Sequence, residues 1–357
     1  MSALDDLCAR VRQAGAAGSA LRIRGGGTKD FYGQALVGEP LDTGAWRGIV
    51  SFEPTELVIT ARCGTPLAEI EAALAQERQM LAFEPPAFGP SATIGGVVAA
   101  GLSGPRRAAA GAARDFVLGV AMIDAAGELN RFGGQVMKNV AGYDVSRLLC
   151  GSLGILGVIA EVSLKVLPRP AAEATLSVTM SEADALRHLN DWAGQPLPVS
   201  ASAWHASTLR LRLSGASAAV EAARDRFIGT YGAAEVEPAR AQAWWAGLRE
   251  HSDDFFRGDE PLWRLSLPSV APALALAGRQ LIEWGGALRW LRSTAPAAEI
   301  RAAARRAGGA ATLFRGGDKS AGVFEPLAAP IAQLHRRLKR EFDPKGIFNP
   351  GRMYPEL

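Results

Sequence analysis

The chain has 357 residues, 48% of them hydrophobic and 21% charged, with a formal net charge of +3. This is the composition of a globular protein large enough for two domains. The small net charge, with no basic run interleaved with stacking aromatics, argues against nucleic acid as a partner. No apolar run approaches the ~18 residues of a membrane-spanning helix. The acidic start Ser2-Ala-Leu-Asp-Asp lacks the positive charge of an export signal. Cys8, Cys63 and Cys150 form no CxxC, so this chain alone is not expected to build an iron–sulfur cluster or a cysteine zinc site.

In chain order, residues 3–14 are predicted as an amphipathic helix with Leu4, Leu7, Cys8 and Val11 on one face. Leu21–Arg24 reads as a strand that runs into Gly25-Gly26-Gly27-Thr28. Leu57–Ala61 is a second strand. A helix follows from Leu67, with Thr65 expected to cap it and Pro66 in its first turn. Together these give a βαβ rhythm. Residues 85–105 are dominated by Gly, Pro, Ser and Ala. A hairpin is then predicted from Phe116–Ile123 and Glu128–Phe132 around Asp124-Ala-Ala-Gly127. Residues 146–166 read as a short helix, a glycine-punctuated turn and a strand from Gly157, closed by Pro168-Arg-Pro170. Beyond that boundary Leu209–Leu213 and Leu262–Leu267 alternate apolar and polar residues, as half-buried strands do. Residues 331–340 form a basic amphipathic helix.

Three glycine clusters carry the functional signal. Consecutive glycines after a strand let amide N–H groups converge on one anion with no side chain intervening. Arg24 to Thr28 has this form, and a tight strand-to-helix turn would account for it equally well. It matches neither the Walker loop, which needs Gly-Lys-Ser/Thr, nor the dinucleotide fingerprint, whose third glycine position holds Asp30. The second cluster is Pro90-Ser91-Ala92-Thr93-Ile94-Gly95-Gly96, continuing to Gly101, Ser103 and Gly104. It suits a backbone pressed against an extended ligand, or a small-residue helix packed on a sheet. The third runs from Gly151 through Gly154 and Gly157 into Val158 and Ile159.

In this order the clusters resemble the FAD-binding domain of the vanillyl-alcohol oxidase (PCMH-type) flavoprotein family. Arg114–Gly119, Lys138–Asp144 and the tail Phe342–Arg352 add to the match. Within that family the resemblance is to small flavin subunits of multi-subunit bacterial oxidases of glycolate. It implies an α+β fold: a two-subdomain FAD-binding domain over 1–168, a smaller α+β cap domain over 169–325, and a tail over 326–357 that returns to the first domain. It also implies roles for matching positions. Arg24, Gly25, Gly26, Gly27 and Thr28 would wrap the pyrophosphate. Pro90, Ser91, Ala92, Thr93, Gly95, Gly96, Gly101, Ser103, Gly104 and Arg107 would run along the cofactor. Gly154, Gly157, Val158 and Ile159 would meet its adenosine side, and Asn349, with Arg352, would return near the flavin ring.

Many relatives hold flavin through a histidine beside the first loop. Here that neighbourhood has no histidine, and the second cluster has neither histidine nor cysteine, so the expectation is non-covalent FAD. His188, His205, His251 and His335 form no HxH or HxxxH pair, so no metal is expected. Oxidation of a hydroxy acid needs a cation for the carboxylate and a base for the hydroxyl. Lys138 and Tyr143 are the candidates; Arg106, Asp144 and Glu84 rank below them. The resemblance implies glycolate or a similar 2-hydroxy acid as substrate. It also implies assembly with a larger flavin subunit and an iron–sulfur subunit. The expected location is cytoplasmic, at most peripheral on the inner face of the plasma membrane through that complex. Two alternatives stand beside this reading: a non-catalytic FAD-binding electron-transfer or assembly subunit, and a stand-alone flavoenzyme for another hydroxylated substrate. The aromatic-rich stretch with Trp244, Trp245, Trp284 and Trp290 reads as core, with partner contact as the alternative.

Overall fold

A computed structural model describes residues 2–134 and 144–357. The chain forms two compact units. One comprises Met1–Leu102, Ala112–Pro168 and Gly322–Leu357; the other comprises Ser103–Gly111 and Arg169–Ala321.

The first unit opens with the helix Ala3–Ala17. Ser2 and Asp5 close a reciprocal capping box, and Gly18 ends the helix in the left-handed conformation at φ 67°. Leu7, Val11 and Ala14 bury one stripe against Leu21, Leu41, Ile123, Val158, Ile347 and Phe348. Burial of apolar surface of this kind stabilises by roughly 25 cal/mol per Å². The strands Leu21–Arg24 and Glu39–Asp42 pair in parallel, and Phe348 of the tail bridges to Leu21 on the other side. A separate five-stranded antiparallel sheet has the order Ile49–Glu53, Val58–Arg62, Val158–Lys165, Val117–Ile123, Leu129–Gly133. The fourth strand in this order, Val117–Ile123, is buried along its whole length.

The predicted hairpin forms, with Gly127 at φ 75°. The Asp124 carboxylate accepts from the amides of Ala126 and Glu128 and so orders the turn. Two local expectations are corrected. Thr65 does not cap the helix Leu67–Gln76. Its hydroxyl donates to Arg62 O at 2.6 Å and accepts from Gly48 N at 2.9 Å, so it serves the preceding turn, while Leu67 N donates to Ala92 O at 2.8 Å. Pro66 stands at the cap position, before the first turn. Nor does the βαβ rhythm build a parallel crossover. Leu21–Arg24 and Val58–Arg62 lie in different sheets, and the short strand Gln79–Met80 after the helix pairs with Leu167–Pro168.

The second unit is an eight-stranded antiparallel sheet. Its order is Ala234–Glu235, Ala172–Thr179, Thr208–Gly215, Val199–His205, Arg279–Glu283, Leu288–Arg292, Leu262–Ser266, Ala310–Arg315. Alternation decides its faces. Leu209, Leu211 and Leu213 pack with Val220 and Phe227 of the helix Ser217–Tyr231 and with Leu189 and Trp192 of Glu182–Ala193. The intervening Arg210 and Arg212 lie over Trp244 and Trp245 of the helix Pro238–Arg249. Trp245 Nε1 also donates to Thr175 Oγ1 at 3.0 Å, so this tryptophan pair is packed into the unit.

Candidate functional site

The strand Leu21–Arg24 delivers the first glycine loop. Its geometry is set by the second cluster: a Cβ on Gly25 would fall on the Thr93 side chain, and one on Gly26 would fall on the Ser91 carbonyl. Ser91 Oγ donates to Gly26 O at 2.9 Å. Gly27 turns at φ 72° beneath the Arg24 guanidinium, which Asp30 holds through a 2.8 Å contact from Nε to Oδ2. The amides of Gly25, Gly26, Gly27 and Thr28 donate to no acceptor among the described residues. Four consecutive half-buried donors with a cation beside them are a fitting host for a diphosphate.

The second cluster resolves into two parts. Pro90 and Ser91 are exposed beside the first loop, and Ala92 is buried with its amide on Gly89 O. Thr93 then caps the short helix Ile94–Ala100 through Oγ1 and Gly96 N. A Cβ on Gly95 would come within 2.6 Å of Cys63 Cβ, so this glycine lets the helix press onto the end of Val58–Arg62. The small residues here are thus explained by helix-on-sheet packing as well as by any ligand. Burial pushes the Cys63 thiol up to about 12.

The third cluster completes the cradle. A Cβ on Gly101, which ends that helix at φ 62°, would stand 2.8 Å from Gly151 Cα. Gly154 turns at φ 72° against Asn349. Asn349 accepts from Ile23 N at 2.8 Å through Oδ1 and donates to Leu153 O at 2.7 Å through Nδ2. Its side chain therefore joins the strand before the first loop to the turn of the third cluster. Arg352 plays a similar part, donating to the carbonyls of Gln34, Lys29 and Asp30; burial pulls it down to about 10. Gly157, Val158 and Ile159 face the sheet core, where a Cβ on Gly157 would sit 2.7 Å from Met122 Sδ.

Three of the expected cofactor residues belong to the other unit. Ser103, Gly104 and Arg107 lie in the segment Ser103–Gly111. There Gly104 O accepts from Trp284 Nε1 at 3.0 Å, and the Arg107 guanidinium lies 4.4 Å from the Trp284 ring centre. Arg106 is buried and paired with Glu173 at 2.5 Å. Lys138 and Tyr143 lie outside the described residues. Asp144 caps the helix Val145–Leu149 by accepting from Arg147 N.

The histidines are occupied by packing. His188 stacks on Trp192, and His335 meets Tyr354. Nδ1 of His205 sits 2.8 Å from Gln280 O. His251 lies flat on Phe256 at 3.9 Å, with Trp290 and Phe314 around it. Among the described residues no group of three or more His, Cys, Asp or Glu could hold a metal ion, and no helix is long and apolar enough to cross a membrane.

Sequence reasoning missed Asp30 and the pair Lys339 and Asp343. An acid six residues after Arg24, across a glycine loop, was the available signal for Asp30. Lysine and aspartate four apart at the end of a helix were the signal for the pair.

Comparison with known proteins places this geometry. Residues 2–133 match the FAD binding domain family, and 323–353 match the C-terminal domain of FAD linked oxidases. The chain is 51% identical over 351 residues to glycolate oxidase subunit GlcE of Escherichia coli K12, covering 98% of this chain and 97% of that one. It is 40% identical over 93 residues to glycolate oxidase subunit GlcD of Bacillus subtilis, covering 26% of this chain and 20% of that one. In fold it is similar to p-cresol methylhydroxylase, with a TM-score of 0.70 at 14% identity over 98% of this chain and 87% of that one. It is also similar to alkyldihydroxyacetonephosphate synthase, with a TM-score of 0.66 at 14% identity over 97% and 75%. The fold is therefore the α+β, PCMH-type FAD-binding fold, and the chain belongs to the GlcE family of FAD-linked oxidoreductase subunits.

Proposed function

We propose that the chain is the FAD-binding subunit of a complex that oxidises glycolate to glyoxylate. The observation that carries this is the run of four amides at Gly25–Thr28, which meet no acceptor among the described residues, built into a chain so similar to GlcE over its whole length. Bound FAD supplies a two-electron acceptor. The chain's own residues do the rest. The first loop binds the diphosphate, with Arg24, held by Asp30, beside it. Asn349 and Arg352 keep that loop and the Gly151–Gly157 turn in register. Lys138 is assigned the substrate carboxylate, and Tyr143 is the second candidate for contact with the substrate. Electrons pass to an iron–sulfur subunit, beside a larger flavin subunit. We assign 1–168 and the returning tail 326–357 to cofactor binding and 169–325 to the cap. FAD is held without a covalent bond, because no histidine lies in either of the first two clusters and the nearby Cys63 is a buried, protonated thiol. The chain works on the cytoplasmic side.

The test is an anaerobic titration. The purified chain takes up FAD, acid releases it, and glycolate bleaches the flavin band. A protein that takes up no FAD would sink the proposal. A second reading, an accessory FAD-binding subunit, is favoured by the four histidines, each engaged in packing or a backbone contact rather than gathered at one site. It predicts no bleaching in the isolated chain and bleaching once the complex is assembled.

A further inference from the structure

One face of the eight-stranded sheet is rich in arginine. Its register sets Arg210, Ala203, Glu283, Leu288 and Ser266 in one row across five strands. Arg212, Arg264 and Arg292 share this face by alternation, while Leu211 and Leu265 point to the other, where the long helices pack. Most of these cations are engaged. Arg292 donates to Phe256 O at 2.7 Å and meets Glu260 at 3.4 Å. Arg212 donates to Ser200 Oγ at 3.2 Å. Arg210 lies over Trp244 with the Asp253 charge near it. Arg264 differs. It is half-buried, yet its guanidinium has no hydrogen-bond or ion-pair partner among the described residues. It lies 5.4 Å from the Trp284 ring centre. Glu283, on the same face, accepts from Trp290 Nε1 at 2.7 Å. A cation withdrawn from water without a counter-ion is costly, and an anion relieves that cost.

Trp284 is an outlier of another kind. It is buried, and its backbone is left-handed at φ 54°, a conformation natural for glycine and costly for a bulky side chain. Its indole nitrogen donates to Gly104 O at 3.0 Å, and Gly285 N donates to Ser202 Oγ at 3.1 Å, so the turn is held from both sides. Strain kept at a fixed aromatic ring is commonly part of a binding device. We propose that Arg264, with the Trp284 indole beside it, binds the carboxylate of a small organic acid. A guanidinium presents parallel N–H groups in the geometry of a carboxylate. One uncommitted charge selects a monoanion, because phosphate or a dicarboxylate calls for a second cation and Arg210 already has Asp253 near it. The indole gives the acid's carbon atoms a flat apolar surface. All of these residues belong to the second unit, so an acid that is not oxidised suffices to probe the site. Glycolate, the substrate proposed above, is one source of such a carboxylate; a regulatory acid is the other.

The test is calorimetric titration of the full, FAD-loaded chain with acetate and with inorganic phosphate. Acetate is expected to bind, and Arg264→Gln to weaken that binding by about tenfold or more. Arg264→Lys keeps the charge without the planar fork and is expected to bind with intermediate strength; it decides alone if the glutamine variant does not fold. Arg210→Gln, on the same face, is expected to bind acetate like the unmodified chain. Four results overturn the site: no acetate binding by the unmodified chain, unchanged binding in the Arg264 variants, equal losses at Arg210 and Arg264, or phosphate bound more tightly than acetate. The source is read from anaerobic bleaching of the flavin by glycolate. Acetate that competes with glycolate identifies the substrate; acetate that binds without competing identifies a separate acid, and either result upholds the site. A chain that binds acetate through Arg264 but is never bleached, alone or assembled, overturns the proposed oxidation and leaves the carboxylate site standing.

Discussion

The Lys339 ammonium sits 2.7 Å from Asp343 Oδ2, and both groups are buried. The ammonium also donates to Ile155 O at 2.7 Å and Phe348 O at 2.8 Å, while the carboxylate accepts from the amides of Ile347 and Phe348. Burial pulls Lys339 below its usual range and the aspartate pulls it back. One ion pair thus joins the end of the tail helix, the strand-like tail and the turn of the third glycine cluster. Removing one partner leaves the other charge buried and alone, a loss of about 3–5 kcal/mol. Lys339→Met is expected to lower the unfolding free energy in urea by about that amount, and the double variant Lys339→Met/Asp343→Leu to recover part of it. A loss below about 1 kcal/mol would show that the pair is not the anchor described here.

Gly26→Ala places a methyl group on the Ser91 carbonyl. Either the first loop or the 90–93 segment must move, and the amides lose their common aim. The substitution is expected to weaken FAD binding at least tenfold, about 1.4 kcal/mol, as read by flavin fluorescence on titration. Gly229→Ala, in the other unit, is the control, because nothing lies within 4 Å of its added methyl. Equal effects of the two substitutions would contradict the close approach of the loops.

Asn349 combines a left-handed backbone, φ 40°, with two side-chain hydrogen bonds to separate segments. Asparagine tolerates that backbone better than most residues do. Asn349→Gly keeps the conformation and removes the bonds; Asn349→Ala removes the bonds and adds strain. Each lost buried bond costs about 1–3 kcal/mol. Thermal unfolding is expected to rank the unmodified protein above the glycine variant, and the glycine variant above alanine. An alanine variant as stable as glycine would remove the backbone part of this account.

His251 is stacked within three aromatic rings, and burial, then Arg315 and Arg264, hold its imidazole well below the usual 6.5. The folded state keeps it neutral, while the unfolded chain binds a proton below that value. Its stability contribution is therefore complete above pH ~6.5 and declines as pH falls, by at most ~1.4 kcal/mol per unit. His251→Phe is expected to flatten the acid limb of the stability–pH profile. Parallel profiles for the two proteins below pH ~6 would rule out the buried neutral histidine.

Burial raises both the Cys63 and the Cys150 thiol to about 12. Neither yields appreciable thiolate near neutrality. In the folded protein at pH 8 both are expected to react with a disulfide reagent far more slowly than they do in urea, with peptide mapping identifying the labelled residue. Rapid native labelling of Cys63 would mean that the helix Ile94–Ala100 does not cover it.

Much of the fold was legible locally. Apolar periodicity located the first helix, the 117–133 hairpin and the alternating strands of the second unit, because their burial follows a simple repeat. The capping of Leu67–Gln76 was misread, since Thr65 bonds to Arg62 and to Gly48, seventeen residues earlier. The βαβ rhythm misled for a similar reason: strand pairing is decided by partners such as Val158–Lys165, about a hundred residues from Val58–Arg62.

The sequence by itself determined where side chains are forbidden. Glycines at 25–27, 95, 101 and 154 marked positions of close approach, and their order pointed to a flavin fold. Only the tertiary structure decided what fills each space. Beside Gly25 and Gly26 it is the 91–93 segment, beside Gly95 it is Cys63, and beside Gly154 it is Asn349. At Gly25–Thr28 the amides are left without an acceptor among the described residues. The physical reason is that a glycine records the absence of a Cβ, whereas the identity of its neighbour depends on distant chain segments, such as those joined across 326 residues by the bond from Ile23 to Asn349.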